Sequence, residues 1–127
     1  MRVIVADDQP EVRSALKLLL EEKPGTRVMG EVSTGFELVQ QVRKNAPDLV
    51  LLDWELPGTR PQELLETLHA VCPHLSVIAL SSRPQIRKAA MNAGAQDFVC
   101  KSDPPELLMS ALENCCNFGK FKAIHQE

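Results

Sequence analysis

The chain has 127 residues, of which 44% are hydrophobic and 24% are charged, a composition typical of one globular domain. A net charge of −3 and a pI near 5.6 argue against direct binding of nucleic acid, which usually needs a basic face. No apolar run approaches the roughly 20 residues that a membrane span requires. The N-terminal sequence MRVIVADD turns acidic too early for a signal peptide, so we expect a cytoplasmic protein without membrane contact.

The cysteines give little sign of a metal or disulfide framework. There are four, none in a pair of Cys-x-x-Cys motifs: Cys72, Cys100, Cys115 and Cys116. Two of them, Cys72 and Cys100, lie within apolar patterns, which favours buried free thiols. Free thiols agree with a reducing cytoplasm.

Short apolar segments alternate with amphipathic ones along the chain. The apolar segments predict five strands, at 2–6, 27–32, 49–52, 75–80 and 97–101. The intervening helices begin near Pro10, Gly35, Pro61, Ile86 and Pro105. This alternation predicts one α/β domain with a parallel sheet and helices on both faces.

Two helices carry informative apolar faces. In the first, Val12, Ala15, Leu16 and Leu19 follow the i, i+3, i+4, i+7 spacing of a buried face. In the fourth, the inner face consists of Ile86 and three alanines, Ala89, Ala90 and Ala93. So little apolar area predicts weak anchoring of the fourth helix, and Gly94 is placed as its C-terminal cap.

Polar residues stand where four of the predicted strands end. Asp7 and Asp8 follow the first strand, Asp53 the third, Ser81 the fourth and Lys101 the fifth. Because parallel strands end at one edge of a sheet, we expect these side chains to meet there. Three carboxylates together repel one another, and Mg²⁺ relieves that repulsion. Lys101 and Ser81 add hydrogen-bond donors, so the set suits a phosphoryl group, with a carboxylate able to act as nucleophile.

Each of these residues taken alone has an ordinary structural interpretation. A single acid commonly ends a strand, an Asp pair commonly forms a turn, and a lysine at a strand end is usually solvated. The combination at successive strand ends favours the functional interpretation.

Five motifs together resemble the response-regulator receiver domain of two-component signalling. They are VADD at 5–8, LLDWELPG at 51–58, ALSS at 79–82, AGAQDFVCK at 93–101 and the Pro-rich start of the last helix. The resemblance covers about residues 2–118, so we expect a receiver domain at 1–118 and a tail or linker at 119–127. It implies a flavodoxin-like, doubly wound sheet with strand order 2-1-3-4-5. Ser102 and Asp103 after the lysine resemble regulators with a LuxR-type (NarL/FixJ-like) helix-turn-helix output domain.

The resemblance implies a role for each residue of the cluster. Asp53 would be the phosphoacceptor, and Lys101 and Ser81 would hold phosphoryl oxygens. Mg²⁺ would be bound by Asp8, Asp53 and the backbone carbonyl of Glu55, with Asp7 acting through water. The donor would be a histidine kinase, a phosphotransfer protein or a small molecule such as acetyl phosphate. Such a domain assists its own phosphorylation and dephosphorylation but is not a conventional enzyme.

The family switch couples the hydroxyl on the fourth strand to an aromatic on the fifth, here Ser81 and Phe98. Phosphorylation would draw Ser81 toward the phosphoryl group, and Phe98 would turn into the space released. The alternative is that Phe98 is simply a core aromatic. We also hypothesise that Glu55 and Arg83, as a pair, control the access of water to the acyl phosphate and hence its lifetime.

Other functions remain open at this point. Thr59, Arg60 and Pro61 depart from the family pattern, which keeps a phosphorylation-independent interaction module as the alternative. Aspartyl phosphatases and mutases carry Asp-x-Asp on the first strand, and an FMN-binding domain needs a Ser/Thr/Gly-rich loop there, so both fit less well. We expect a transcriptional output domain or an effector protein as partner, and the last helix with its neighbours is a candidate surface for a homodimer.

Overall fold

A computed structural model of the protein describes the backbone of residues 1–125 and the side chains of residues 1–115. Five strands alternate with five helices. The strands are β1 (Arg2–Ala6), β2 (Arg27–Val32), β3 (Leu49–Asp53), β4 (Ser76–Ser81) and β5 (Asp97–Cys100). The helices are α1 (Pro10–Glu21), α2 (Gly35–Asn45), α3 (Pro61–Val71), α4 (Arg87–Asn92) and α5 (Pro105–His125), and a 3₁₀ turn (Pro84–Ile86) precedes α4.

All strand pairs are parallel, and the strand order is β2-β1-β3-β4-β5. This order confirms the predicted doubly wound sheet. The chain winds from β1 outward to β2 and then reverses across β1 to β3, so β1 and β3 are adjacent. Open α/β sheets bind ligands at such a reversal, outside the carboxyl ends of the strands.

Strand β3 lies in the centre of the sheet, and all five of its residues are buried. Successive side chains of a strand point to opposite faces. Val50 and Leu52 accordingly pack into a core with α2, α3 and α4, whereas Leu49 and Leu51 pack into a second core with α1 and α5. Burial on both faces explains the uninterrupted apolar run before Asp53.

The loop after β3 is fastened to the start of α2. The Gly35 backbone N–H donates to the Pro57 carbonyl at 3.3 Å. A Cβ atom at position 35 would lie 2.4 Å from the Thr59 Cγ2 atom, so any larger residue would require this threonine side chain to move. The segment 59–61, which departs from the family pattern, therefore lies close to the backbone of Gly35.

The buried faces of two helices differ from the prediction. In α1, Val12, Leu16 and Leu19 are only half-buried and Ala15 is exposed, whereas Leu20 is fully buried. The reason is that this stripe lines a groove between α1 and α5, which the described side chains leave open. In α4, Ala90 alone is fully buried and Ala89 is exposed, because the 3₁₀ turn shortens the helix.

The end of α4 agrees with the prediction, whereas α5 extends further than predicted. Gly94 follows α4 with a φ of +108°, as expected for a residue that ends a helix. The backbone of α5 continues across the predicted domain boundary at 118 to His125. In the described part of the chain, no helix has the length and apolar character that crossing a bilayer demands.

Two leucines of α1 provide a matched test of this packing. We expect Leu20→Ala to lower the free energy of unfolding by about 2–5 kcal/mol, because its side chain is fully enclosed. Leu18→Ala in the same helix should change it by less than about 0.5 kcal/mol, because Leu18 is 71% exposed. Urea unfolding followed by circular dichroism measures both, and equal effects would contradict this description of α1.

Candidate functional site

Buried polar side chains are concentrated at the carboxyl edge of the sheet. Among the residues whose side chains are described, the buried polar or charged ones are Asp7, Asp53 and Ser81, and all three lie at this edge. Burying a charge is unfavourable unless it is paired. Their burial at a single edge therefore marks this place as the site.

Three carboxylates form the floor of the site. Asp7, Asp8 and Asp53 each offer an oxygen, and these oxygens lie within 4.8 Å of one another. Asp7 and Asp53 are buried, whereas Asp8 is exposed to solvent. Oxygen ligands of this kind, with one side open to water, suit Mg²⁺.

Lys101 supplies the positive charge that the structure places against these acids. Its Nζ atom lies 2.7 Å from Asp7 Oδ2 and 3.5 Å from Asp53 Oδ1. Apart from this ion pair, the fully enclosed Asp7 Oδ2 atom has no partner among the described residues. A buried oxygen with unused acceptor capacity beside two further carboxylates fits a bound divalent cation.

Backbone amides orient both buried carboxylates. The Gln9 N–H donates to Asp7 Oδ1 at 2.9 Å, and the Glu55 N–H donates to Asp53 Oδ1 at 3.0 Å. Each aspartate thus binds the amide two residues further on, which is a common turn geometry for this residue. For Asp53, the second oxygen, Oδ2, has no hydrogen bond in the described part of the protein, so it is free to react.

Ser81 is part of a second small network. Its hydroxyl donates to Glu55 Oε1 at 2.8 Å and accepts from the Arg83 backbone N–H at 3.1 Å. The Arg83 guanidinium lies 3.7 Å from Glu55 Oε2. Glu55 and Arg83, which the sequence analysis paired, are therefore in contact with each other, and both contact the Ser81 hydroxyl.

Burial and repulsion act on Asp53 in the same direction. Burial raises the pKa of Asp53, the Glu55 backbone N–H and Lys101 lower it, and the nearby Asp7 and Glu55 charges raise it, with a net increase. Burial alone would lower the pKa of Lys101, but its contacts with Asp7 and Asp53 outweigh burial and raise it. The site therefore favours the protonated form of Lys101 and disfavours the ionised form of Asp53.

Phe98 occupies a buried position on β5, 2% exposed, in the core beside α4. The Arg87 guanidinium lies over its ring, 5.1 Å from the centroid, and is 4.0 Å from Asp97 Oδ1. The sequence analysis missed Arg87, because its contact with Phe98 joins α4 to β5 across a turn. Such a contact produces no regular spacing in the sequence. Arg13, which donates to the Asp7 carbonyl at 2.7 Å, was also missed.

Of the predicted site residues, the structure brings together Asp7, Asp8, Asp53, Lys101, Ser81, Glu55 and Arg83. Phe98 lies on the neighbouring strand β5, and its predicted switching role stays a prediction. The metal-binding role of the Glu55 carbonyl likewise stays a prediction.

Comparison with known proteins leads to the same family as the sequence motifs. The family model described as the response regulator receiver domain matches residues 3–113. The chain therefore belongs to the response-regulator receiver domain family, which confirms the resemblance seen in the motifs. This family is a class of phosphoacceptor signalling domains that generally bind Mg²⁺ in an acidic pocket.

Among curated relatives, the chain is similar to the transcriptional regulatory protein DesR of Bacillus subtilis, with 30% identity over 91% of this chain and 58% of that protein. It is also similar to the nitrate/nitrite response regulator NarL of Escherichia coli, with 30% identity over 87% and 52%. The chain thus spans between half and two thirds of the length of these relatives.

Solved structures of response regulators have the same fold as this chain. A LuxR-family response regulator from Aurantimonas sp. superposes with a TM-score of 0.83 at 29% identity, covering 89% of this chain and 82% of that one. RcsB of Salmonella enterica, solved on a promoter with the phosphomimetic BeF₃⁻, gives 0.82 at 28% identity, covering 91% and 98%. These matches confirm a LuxR-type receiver.

The raised pKa of Asp53 leads to a stability prediction. Its ionised form is disfavoured in the folded state, so stability is full at low pH and is lost as pH rises through the folded pKa. We expect Asp53→Asn, without divalent cations at pH 7, to raise the midpoint of thermal unfolding by about 2–6 °C. The gain should vanish below the ordinary pKa of an aspartate, where the wild-type side chain is neutral as well.

The control is Glu66→Gln, which removes an exposed carboxylate from the middle of α3 and should leave the midpoint unchanged at both pH values. Millimolar Mg²⁺ should stabilise the wild type more than Asp53→Asn, because it neutralises the charge that the variant lacks. A variant less stable than wild type at pH 7 would contradict the net repulsion assigned to Asp53.

Proposed function

We propose that the protein is a phosphorylation-activated signalling switch that accepts a phosphoryl group on Asp53 with the help of Mg²⁺. The observation that carries this proposal is the position of Asp53. It is a buried carboxylate with one oxygen held by a backbone amide and by Lys101, and the other unbonded. Fixing one oxygen orients the other as a nucleophile.

In the proposed transfer, the free Asp53 oxygen attacks the phosphorus of the donor, and the bond from phosphorus to the donor nitrogen or oxygen breaks. Lys101 and Ser81 are placed to donate to the phosphoryl oxygens as charge moves onto them. Asp8 and Asp53 would hold Mg²⁺ directly, together with the Glu55 carbonyl, and Asp7 would act through water. When bound, Mg²⁺ neutralises negative charge on the carboxylates and the phosphoryl group.

Phosphorylation would require Ser81 to change partner. Its single hydroxyl proton is donated to Glu55, so a hydrogen bond to a phosphoryl oxygen must replace that contact. We propose this exchange as the first event of the switch, followed by adjustment around Phe98 on the adjacent strand β5. Arg87, which stacks on Phe98, would carry the change to α4.

The partners follow from the relatives. We propose a histidine kinase or phosphotransfer protein as the donor, because the family takes phosphoryl groups from these proteins. We propose a transcriptional output domain as the target, because DesR and NarL are named as transcriptional or response regulators. In this proposal residues 1–118 form the receiver domain, residues 119–127 lead toward the output, and the protein acts in the cytoplasm, either alone or as a homodimer.

A phosphorylation-independent interaction module is the second candidate. The observation that favours it is the loop at 59–61, which is fastened to α2 at Gly35 and departs from the family pattern. In this alternative Ser81 keeps its contact with Glu55 permanently, and the domain contributes only a surface.

Intact mass spectrometry distinguishes the two candidates. Incubation with acetyl phosphate and Mg²⁺ should add one phosphoryl group, about 80 Da, to the wild-type chain, because Asp53 is positioned to attack it. Asp53→Asn and a sample with EDTA should gain nothing, and Glu66→Gln should react like the wild type. A folded protein that neither binds Mg²⁺ nor accepts a phosphoryl group from acetyl phosphate or a kinase would leave the interaction module as the function.

The contact between Glu55 and Arg83 leads to a prediction about lifetime. If the pair limits the access of water to the acyl phosphate, Glu55→Ala and Arg83→Ala should each speed dephosphorylation by roughly 3–10-fold, equivalent to about 0.6–1.4 kcal/mol in the barrier. The rate is measured as the loss of the added mass after removal of the donor.

The matched control is Lys88→Ala, which removes an exposed cation from α4 without touching the pair. The double variant should decay no faster than the faster single variant, because the two residues act as a unit. Decay rates that equal the wild-type rate in both single variants would show that the pair has no role in lifetime.

A further inference from the structure

A second concavity lies on the α1 and α5 side of the sheet. Its volume is about 320 Å³, within the range of small-molecule sites. Val12, Leu16 and Leu19 of α1 form one wall, and Leu108 of α5 forms part of the other. Leu80 and Val99 of the sheet form the floor. The lining is thus mainly aliphatic.

The apolar wall of α1 has the pattern of a buried face but lacks a cover. Val12, Leu16 and Leu19 have the spacing of a packed helical stripe, yet each is only half-buried and the neighbouring Ala15 is exposed. On the opposite side of the sheet, α2 and α3 contact each other and enclose their core. The described chain therefore leaves one core open, and transfer of an apolar group into it is favourable.

The charge at the mouth of the groove is negative. Glu11 and Asp103 border it, and neither carboxylate has an ion-pair partner in the part of the chain with described side chains. Asp103 Oδ2 accepts a hydrogen bond from the Cys100 backbone N–H at 2.9 Å, which leaves Oδ1 to meet a ligand. Lys101 also borders the groove, but its ammonium is engaged by Asp7 and Asp53. A cation at the mouth would meet two carboxylates that lack an ion-pair partner, whereas an anion would be repelled by both.

The geometry points to a binding site for a small amphipathic cation, a compact hydrophobic body that carries one amine, in the groove between α1 and α5. The body would pack on Leu16, Leu80 and Val99, and the amine would lie between Glu11 and Asp103. The floor residue Leu80 immediately precedes Ser81 on β4, so a bound ligand would contact the same strand as the phosphoacceptor site. The inference does not depend on phosphorylation and is tested without it.

Three probes with one hydrophobic body separate the contributions of body and charge: phenylbutylamine, phenylbutanol and phenylbutyrate. Each is titrated into the full chain, and the methyl resonances of Val12, Leu16, Leu80 and Val99 are followed by NMR. The amine should bind with a Kd below about 1 mM. It should bind roughly 3–10-fold more tightly than the alcohol, because the exposed Glu11 and the half-buried Asp103 add a modest attraction. The carboxylate should bind most weakly.

Two pairs of variants test the walls and the rim. Ala15→Phe, which fills the groove from an exposed helix position, should weaken the amine and the alcohol at least tenfold, whereas Ser14→Phe on the adjacent exposed position should not. Glu11→Gln with Asp103→Asn should remove the preference for the amine and leave the alcohol unaffected. Glu21→Gln, an exposed acid at the far end of α1, should leave that preference intact.

Several outcomes overturn the inference. Absence of binding by all three probes up to about 5 mM would do so, as would tightest binding of phenylbutyrate. Methyl shifts that map elsewhere, or that persist in a folded Ala15→Phe variant, would also do so. If the probes fail and the chain forms a dimer that Ala15→Phe disrupts, a second copy covers the groove and the small-molecule site is wrong. The comparison of the three probes needs no variant, so misfolding of a variant does not remove the test.

Discussion

The mutual repulsion of carboxylates at one edge of the sheet is the constraint on which the site depends. Asp7 and Asp53 are buried, and an unpaired charge in such a place is strongly unfavourable. The protein offsets this with one ammonium, that of Lys101, and with one backbone N–H to each carboxylate. One positive charge does not balance two buried acids and the exposed Asp8. The site is therefore left with unneutralised negative charge, which a bound divalent cation would relieve.

The strand order decides which charges meet. Lys101 follows β5, at one edge of the sheet, yet its long side chain reaches Asp7 after β1, two strands beyond β4. Asp53 lies between them at the end of β3, within reach of both. A sheet with another order would carry the same residues without bringing the lysine to both acids. The doubly wound topology thus converts separate strand ends into one electrostatic unit.

The hydroxyl of Ser81 connects this unit to the rest of the chain. In the structure it binds the Glu55 carboxylate, which in turn lies beside Arg83, and Phe98 on the neighbouring strand β5 is buried under Arg87. A phosphoryl group on Asp53 would compete with Glu55 for a single proton. A small difference between two hydrogen bonds can bias such an exchange, because each is worth only a few kcal/mol at most.

The sequence by itself determined the fold and the composition of the site. The uninterrupted apolar run at 49–52 requires burial on both faces, and the acids, hydroxyl and lysine at successive strand ends can meet only at one edge of a parallel sheet. The α1 stripe was predicted to be buried, but the spacing of Val12, Leu16 and Leu19 reports one apolar face and not what covers it. Only the tertiary structure decided that this face lines a groove which the described side chains leave open, that Gly35 packs closely against Thr59, and that Arg87 covers Phe98. Each of these contacts joins separate elements, and the distance between two packed surfaces is set by all the side chains between them, which no local pattern records.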